Sequence, residues 1–171
     1  EGESFEGRVV VGVDKLGAKN KAVPQAARYA ADHGLRLAIV SVVPTTSYLP
    51  MNSYELDRAV QEQLKAPAKE LTESVAQELR GDFPDLEIVT RVLDGRPADA
   101  LVDASHTADL MVMGTRGYGG FRGLLMGSVS QAVLADADSP VMVVPSARSA
   151  PIISAVSRLI SAPVIVDGPS A

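Results

Sequence analysis

Short runs of branched apolar residues alternate along this chain with longer segments in which apolar residues recur every three or four positions. Runs of the first kind predict strands buried in a parallel sheet, and segments of the second kind predict amphipathic helices. The predicted strands cover residues 8–14, 35–43, 86–93, 109–113 and 141–144. The predicted helices cover residues 20–34, 55–80, 96–107 and 128–136. Pro67 is expected to kink or split the second helix, because proline lacks a backbone N–H.

This alternation of elements predicts an α/β protein with a doubly wound five-stranded parallel sheet, strand order 3-2-1-4-5, and helices on both faces. In that order the first and fourth strands are neighbours. Ligands of such sheets bind at the carboxyl ends of the strands, where the strand order reverses. Asp14 and Gly114 both lie at the ends of predicted strands. We therefore expect them to share one crevice.

Composition narrows the class of protein and of partner. With 171 residues, 46% of them hydrophobic, the chain is long enough for one domain with a substantial core. Its net charge of -5 argues against a nucleic-acid partner. It has no cysteine, and its two histidines lack metal-ligand spacing. Its apolar runs are shorter than the roughly 20 residues of a membrane span, and no signal-peptide pattern opens it, so we expect a cytoplasmic protein without a membrane partner.

A glycine-rich loop follows the fourth predicted strand, with the spacing Gly-x2-Gly-x9-Gly-Ser from Gly114 through Gly117 to Gly127 and Ser128. Glycine lets the backbone N–H groups approach a ligand closely, and the following helix begins with a partial positive charge. Both features favour a bound phosphate. The loop has no lysine of the P-loop kind, and it does not follow the first strand as a dinucleotide-binding loop does.

The segment 112–145, VMGTRGYGGFRGLLMGSVSQAVLADADSPVMVVP, resembles the nucleotide-binding segment of the universal stress protein family. A first strand ending in Val-Gly-Val-Asp and a second ending in Val-Val extend the resemblance to residues 8–145. In ATP-binding members the first-strand aspartate contacts the nucleoside, the second strand meets adenine, and the glycine loop holds ribose and phosphates. The resemblance therefore implies a nucleotide site at Gly12, Val13, Asp14, Val42, Met113, Gly114, Arg116, Gly117, Gly127, Ser128, Val129 and Ser130.

The chemistry of several of these residues suits such a site, although each also has a plainer interpretation. The hydroxyls of Ser128 and Ser130 can donate to phosphate oxygens, and Arg116 can neutralise their charge. Asp14 can bind ribose hydroxyls, or it can accept hydrogen bonds from the turn that follows it. The apolar candidates are equally consistent with ordinary core packing, and the loop itself with a lid that binds no ligand.

The resemblance also divides the chain into an N-terminal extension (1–7), a nucleotide-binding domain (8–146) and a C-terminal tail (147–171). Apolar residues at helical spacing predict a tail helix, and residues 164–166 predict an extra strand. The helical positions are Ile152, Ile153, Val156, Leu159 and Ile160. Two interpretations of the tail stay open: it packs on a partner subunit, or residues 164–171 begin another first strand of the family type.

The function predicted from these features is an ATP-binding stress-response regulator that acts as a nucleotide-dependent sensor or switch. The resemblance also implies a homodimer paired through the last strand, residues 141–144, and we expect a further protein partner of unknown identity. The alternatives are an AMP or cyclic AMP binding module, a slow Mg²⁺-dependent ATP hydrolase with Asp14 as the nearest metal-binding carboxylate, and an interaction protein without nucleotide. No catalytic residue and no dedicated metal site are predicted.

Overall fold

The computed structural model describes residues 4–14, 21–45, 54–115, 126–145, 152–154 and 164–165. Its helices are α1 (Ala22–His33), α2 (Tyr54–Asp82), α3 (Pro97–Ser105) and α4 (Ser128–Asp136). Its strands are β1 (Arg8–Gly12), β2 (Arg36–Val43), β3 (Ile88–Asp94), β4 (Leu110–Gly114), β5 (Val141–Val144), β6 (Ile152–Ser154) and β7 (Val164–Ile165).

The first five strands are parallel and lie in the order β3-β2-β1-β4-β5, so the predicted 3-2-1-4-5 order is confirmed. Val9, Val10 and Val11 of the central strand β1 are completely buried. A continuous branched run is the pattern of a strand that is covered on both faces, and the packing around β1 shows that cover.

The side chains of β1 alternate between two core clusters, one on each face of the sheet. Val9 and Val11 belong to a cluster with residues of α1 and α2, whereas Val10 belongs to a cluster with Leu101 of α3 and Val133 of α4. Burial of each valine side chain stabilises the fold by about 1.5–3 kcal/mol. Helices therefore cover both faces, as expected for a doubly wound sheet.

Two features of the helices refine the sequence-based expectations. Gly34 ends α1 in the left-handed conformation, with φ 64°, which explains why glycine stops this helix. Pro67 lies inside a continuous α2 and does not split it. Pro67 and Gln63 are both exposed. Water can therefore solvate the Gln63 carbonyl, which has no N–H partner at Pro67.

The tail extends the sheet beyond five strands. β6 pairs antiparallel with β5, with Met142 opposite Ile153, and β7 pairs antiparallel with β6. The predicted helix is therefore wrong at Ile152–Ser154, whereas the extra strand is present at Val164–Ile165; the remaining helical positions lie outside the described residues. The expectation that Val141–Val144 forms the sheet edge is also wrong, because backbone groups of this apolar strand find partners in β6.

The N-terminal residues from Phe5 onward are integrated into the domain. Phe5 is 1% exposed and belongs to the core cluster on the α3 and α4 face, and its N–H donates to Thr107 Oγ1 at 2.8 Å. Gly7 turns the chain with φ 68°, and the Arg36 guanidinium donates to the Glu6 carbonyl at 2.8 Å. Residues 5–7 thus cover one end of the core, whereas the sequence analysis assigned them to an extension outside the domain.

Candidate functional site

The carboxyl ends of β1 and β4 lie side by side, as the strand order requires. Val11 is opposite Val112 in the parallel register, so Gly12 and Gly114 end neighbouring strands at one edge of the sheet. One residue beyond β1, the Val13 N–H donates to the Val40 carbonyl of β2 at 2.8 Å. Asp14 therefore leaves the sheet from a fixed point beside the end of β4.

The two ends of the glycine-rich loop meet at this edge through backbone hydrogen bonds. The Thr115 N–H donates to the Val144 carbonyl at 3.0 Å, and the Thr115 carbonyl accepts the Gly127 N–H at 2.6 Å. We call this pair, Thr115 and Gly127, the loop base. Because β5 holds one side of the loop base and α4 follows the other, the loop must leave and return at one point of the sheet edge.

The start of α4 next to the loop base has the electrostatics of an anion site. Gly127 is the N-cap, in extended conformation with φ -74° and ψ 158°, and as a glycine it has no side chain that could cap the helix. The first N–H groups of a helix have no partners within it and carry its positive end. An anion placed before Ser128, the first residue of α4, would accept hydrogen bonds from these N–H groups and would be attracted by the positive end of the helix.

The Ser130 hydroxyl makes a hydrogen bond within the protein. Its hydroxyl donates to the Gly114 carbonyl at 2.7 Å, and the side chain is 4% exposed. A serine hydroxyl carries one proton, so in this arrangement that proton is not available to a phosphate. The hydrogen bond of Ser130 thus connects α4 to the end of β4. Ser128, in contrast, is exposed and is the better placed hydroxyl for a ligand.

The apolar candidates come together on the α3 and α4 face of the sheet. Met113 is a buried member of this cluster, and Val42 and Val129 are partly buried against it. Met126 packs against the same cluster directly before Gly127, and the Gln131 side-chain amide donates to its carbonyl at 3.1 Å. Met126 was not predicted from the sequence. An apolar residue immediately before the Gly-Ser pair was the one feature that could have indicated its contact with the core.

Two of the predicted residues, Arg116 and Gly117, lie outside the described residues and stay predictions. No group of three or more His, Asp or Glu side chains that could hold a metal ion occurs within the ranges that the structure describes. Asp14 supplies a carboxylate two residues beyond the end of β1. Mg²⁺ bound through one or two carboxylates usually takes its other ligands from water and substrate phosphates. A nucleotide would therefore have to supply part of the coordination of any Mg²⁺ at Asp14.

A second depression, between α2 and β3, has a volume of about 430 Å³. Charged groups lining it already pair with protein groups. Lys65 contacts Asp94 at 2.7 Å, and Lys69 contacts Glu62 at 2.9 Å. The hydrogen bond and charge of Lys69 lower the pKa of Glu62. This cleft is therefore a weaker candidate for an anionic ligand than the edge at β1 and β4.

In the parts of the chain that the structure describes, no helix combines the length and apolar character needed to cross a membrane.

Known proteins match most of this chain. The model of the universal stress protein family matches residues 7–145. A universal stress protein of Thermus aquaticus is 34% identical over 142 residues, covering 80% of this chain and 96% of the relative. One of Mycobacterium tuberculosis is 33% identical over 150 residues, covering 80% of this chain and 47% of the relative. The chain thus spans about half the length of the mycobacterial relatives it matches.

Solved structures share the fold. A universal stress protein of Lactobacillus plantarum superposes with a TM-score of 0.66 at 23% identity, covering 83% of this chain and 99% of that chain. One in complex with cAMP has a TM-score of 0.54 at 24% identity, covering 85% of this chain and 100% of that chain. One of Archaeoglobus fulgidus in complex with dAMP has a TM-score of 0.51 at 22% identity, covering 82% of this chain and 98% of that chain.

Proposed function

This chain belongs to the universal stress protein family, and on that premise we propose that it binds an adenine nucleotide, ATP first among them, at the carboxyl edge of β1 and β4. The observation that carries the proposal is the loop base beside the uncapped start of α4. It holds a glycine-rich loop at the edge where ligands of doubly wound sheets bind. The cAMP and dAMP bound by two proteins of the same fold support the choice of an adenine nucleotide.

The phosphates are assigned to the loop and the start of α4. The N–H groups of the first turn of α4 and the Ser128 hydroxyl would donate hydrogen bonds to an anion placed there, and Arg116 of the loop would add a positive charge. Gly117, which has no side chain, would allow the loop backbone to approach the phosphates closely. Ser130 supports these contacts from within by holding Gly114.

The nucleoside is assigned to the ends of β1, β2 and β4. Asp14, which follows Gly12 and Val13, would accept hydrogen bonds from the ribose hydroxyls. The apolar side chains of Val42 and Met113 lie on the α3 and α4 face of the sheet, where they would contact the adenine ring. This division puts the polar ribose at the aspartate and the flat base against apolar surface.

We propose that the protein acts in the cytoplasm as a regulator that responds to the bound nucleotide. A bound phosphate would fix the conformation of a glycine-rich loop, because it ties several backbone N–H groups to one ligand. The surface of that loop would then differ between the nucleotide-bound and empty protein, and a protein partner could distinguish the two. Slow hydrolysis with Mg²⁺ at Asp14 is the enzymatic alternative; release of ADP at a steady rate would favour it over binding alone.

A matched pair of substitutions at Gly127 tests the loop base. Its φ of -74° suits proline as well as alanine, but proline removes the N–H that donates to Thr115. In calorimetric titrations with ATP, we expect Gly127→Ala to bind within about threefold of the natural protein and Gly127→Pro at least about tenfold more weakly, since each factor of ten is about 1.4 kcal/mol. Equal affinity of the two variants would contradict the role of the loop base.

A further inference from the structure

β3 forms one edge of the sheet. In the part of the chain that the structure describes, its one neighbouring strand is β2, matched to it at seven positions. Just before β3, the Glu87 carbonyl accepts the Leu37 N–H at 2.9 Å. Just after it, the Gly95 N–H donates to the Val43 carbonyl at 3.0 Å. Successive residues of a strand direct their backbone groups to opposite sides, so the odd-numbered residues of β3 face β2. The residues whose N–H and C=O groups face the free edge are Ile88, Thr90, Val92 and Asp94.

A groove between α2 and β3 follows this free edge. It is the depression of about 430 Å³ whose lining residues belong to these two elements. Lys65 of α2 contacts Asp94 at 2.7 Å at one end, and Thr90 Oγ1 lies 3.5 Å from Glu73 Oε2 further back along β3. A strand added to β3 would lie about 4.7–4.9 Å beyond it, within reach of the α2 side chains. We call the free edge and this depression together the β3 groove.

The β3 groove is lined by more positive than negative side chains, in a protein that is acidic overall. Three cations and two carboxylates line it, a net charge of +1 at pH 7, whereas the whole chain carries -5. These side chains are Lys65, Lys69, Arg91, Glu62 and Glu73. The Lys65 side chain is 19% exposed, so water and salt screen its charge less than that of a fully exposed lysine. Carboxylates therefore suit this groove better than ammonium groups.

We propose that the β3 groove binds an extended acidic segment of another protein, which joins the sheet as an additional strand. Backbone hydrogen bonds to the outward-facing residues of β3 would supply affinity, and the cations of the groove would select carboxylate side chains. A small anion lacks the backbone contribution, and both lysines of the groove already have carboxylate partners. An extended acidic peptide combines the two contributions. The proposal does not depend on the nucleotide site.

Arg91 controls access to this edge. Its Nη1 donates to the Thr90 carbonyl at 2.8 Å, one of the acceptors that an added strand would use. Charged side chains on an edge strand discourage unselective strand addition. A peptide carboxylate would bind the guanidinium and release the Thr90 carbonyl for a peptide N–H. A neutral strand offers the guanidinium no such partner, so Arg91 favours acidic segments.

A second copy of this chain is a poorer occupant of the β3 groove. The two-fold arrangement that pairs all seven residues of β3 places two Arg91 side chains opposite each other. Like charges in that position are destabilising. An acidic strand places a carboxylate there instead.

Synthetic peptides measure the charge preference on the intact chain. The probe is a dye-labelled peptide of seven residues in which threonine and glutamate alternate, and its control has glutamine in place of glutamate. In fluorescence anisotropy at physiological ionic strength, we expect the glutamine peptide to bind at least about tenfold more weakly. Arg91→Ala should weaken binding of the glutamate peptide about tenfold. Arg28→Ala, which removes an equal charge from the exposed face of α1, should leave that binding unchanged.

A matched pair of substitutions at Val92 tests the backbone contacts. The Val92 N–H faces the free edge, so Val92→Pro removes a donor that an added strand would use and no hydrogen bond to β2. Val92→Ala also loses the valine side chain but keeps the N–H. We expect Val92→Pro to bind the glutamate peptide at least about tenfold more weakly than Val92→Ala. In NMR spectra of the natural protein, the amide signals of residues 88–94 should shift when this peptide is added.

Several results would overturn the β3 groove as a peptide site. One is the absence of binding by the glutamate peptide at millimolar concentration, and another is equal affinity for the glutamate and glutamine peptides. A folded Val92→Pro that binds as well as Val92→Ala would also contradict the proposal. If circular dichroism shows that Val92→Pro does not fold, Arg91→Ala and Arg28→Ala decide, and equal affinity of these two variants refutes the proposal. A dimer of the protein alone, with the Thr90 and Val92 amides protected from deuterium exchange, would make a second copy the occupant.

Discussion

Replacing Ser130 with alanine isolates the buried hydrogen bond that joins β4 to α4 below the candidate site. The bond to the Gly114 carbonyl is 2.7 Å long, and Ser130 is 4% exposed. A buried acceptor left without a partner costs about 1–3 kcal/mol. Gly114 is half-buried, so water can partly replace the hydroxyl, and we expect a loss of about 1–2 kcal/mol in the free energy of unfolding. For a chain of this size, that loss lowers Tm by roughly 2–8 °C.

Ser139 provides the matched control. It is 5% exposed, but its hydroxyl contacts the neighbouring Pro140 carbonyl only at 3.4 Å, beyond the usual range for such bonds. Ser139→Ala should therefore cost less than about 0.5 kcal/mol. Urea unfolding of both variants without nucleotide measures the difference. Losses that agree within about 0.3 kcal/mol would refute the supporting role that we assign to Ser130.

Three further predictions concern the site, the amino-terminal segment and the backbone. Ser128→Ala should weaken ATP binding about tenfold in calorimetry, through loss of a hydrogen bond to a charged group, and leave the Tm of the empty protein unchanged; a lower Tm with full affinity would contradict the assignment. Phe5→Ala should cost about 3–5 kcal/mol in urea unfolding and Phe5→Leu clearly less, whereas a dispensable segment would tolerate both. Gly34→Ala should lower the free energy of unfolding by about 1 kcal/mol, because the φ of Gly34 is positive. Gly81→Ala should leave it unchanged or raise it, because Gly81 lies inside α2 with open space around the new methyl group. Equal effects of the two substitutions in urea unfolding would refute this reasoning.

The hydrophobic pattern was sufficient to predict the central sheet and the order of its strands. Branched runs such as residues 9–11 are typical of a strand covered on both faces, and short connections then restrict the topology to few choices. The strand order also predicted that the ends of β1 and β4 are neighbours, and the parallel pairing of these two strands is what the candidate site depends on. These inferences rest on local sequence and general rules of chain connection.

The features that the sequence did not reveal depend on contacts between distant residues. Phe5 is a single aromatic residue without a periodic neighbour, and its burial follows from the position of Thr107 and of the cluster beneath it. The sequence does not show that the hydroxyl of Ser130 donates to the carbonyl of Gly114, because the two residues are sixteen positions apart along the chain. The pair Ile152 and Ile153 suits a helix as well as a strand, and the open edge of β5 favours the strand.

The most direct test of the central claim is the binding of adenine nucleotides to the natural protein. Native mass spectrometry of gently purified protein, followed by calorimetry with ATP, AMP and cyclic AMP, measures both the identity of the ligand and its affinity. We predict one adenine nucleotide per chain, with the affinity reduced by Gly127→Pro and retained by Gly127→Ala. Absence of binding by all three nucleotides at millimolar concentration would contradict an adenine-nucleotide site at the ends of β1 and β4.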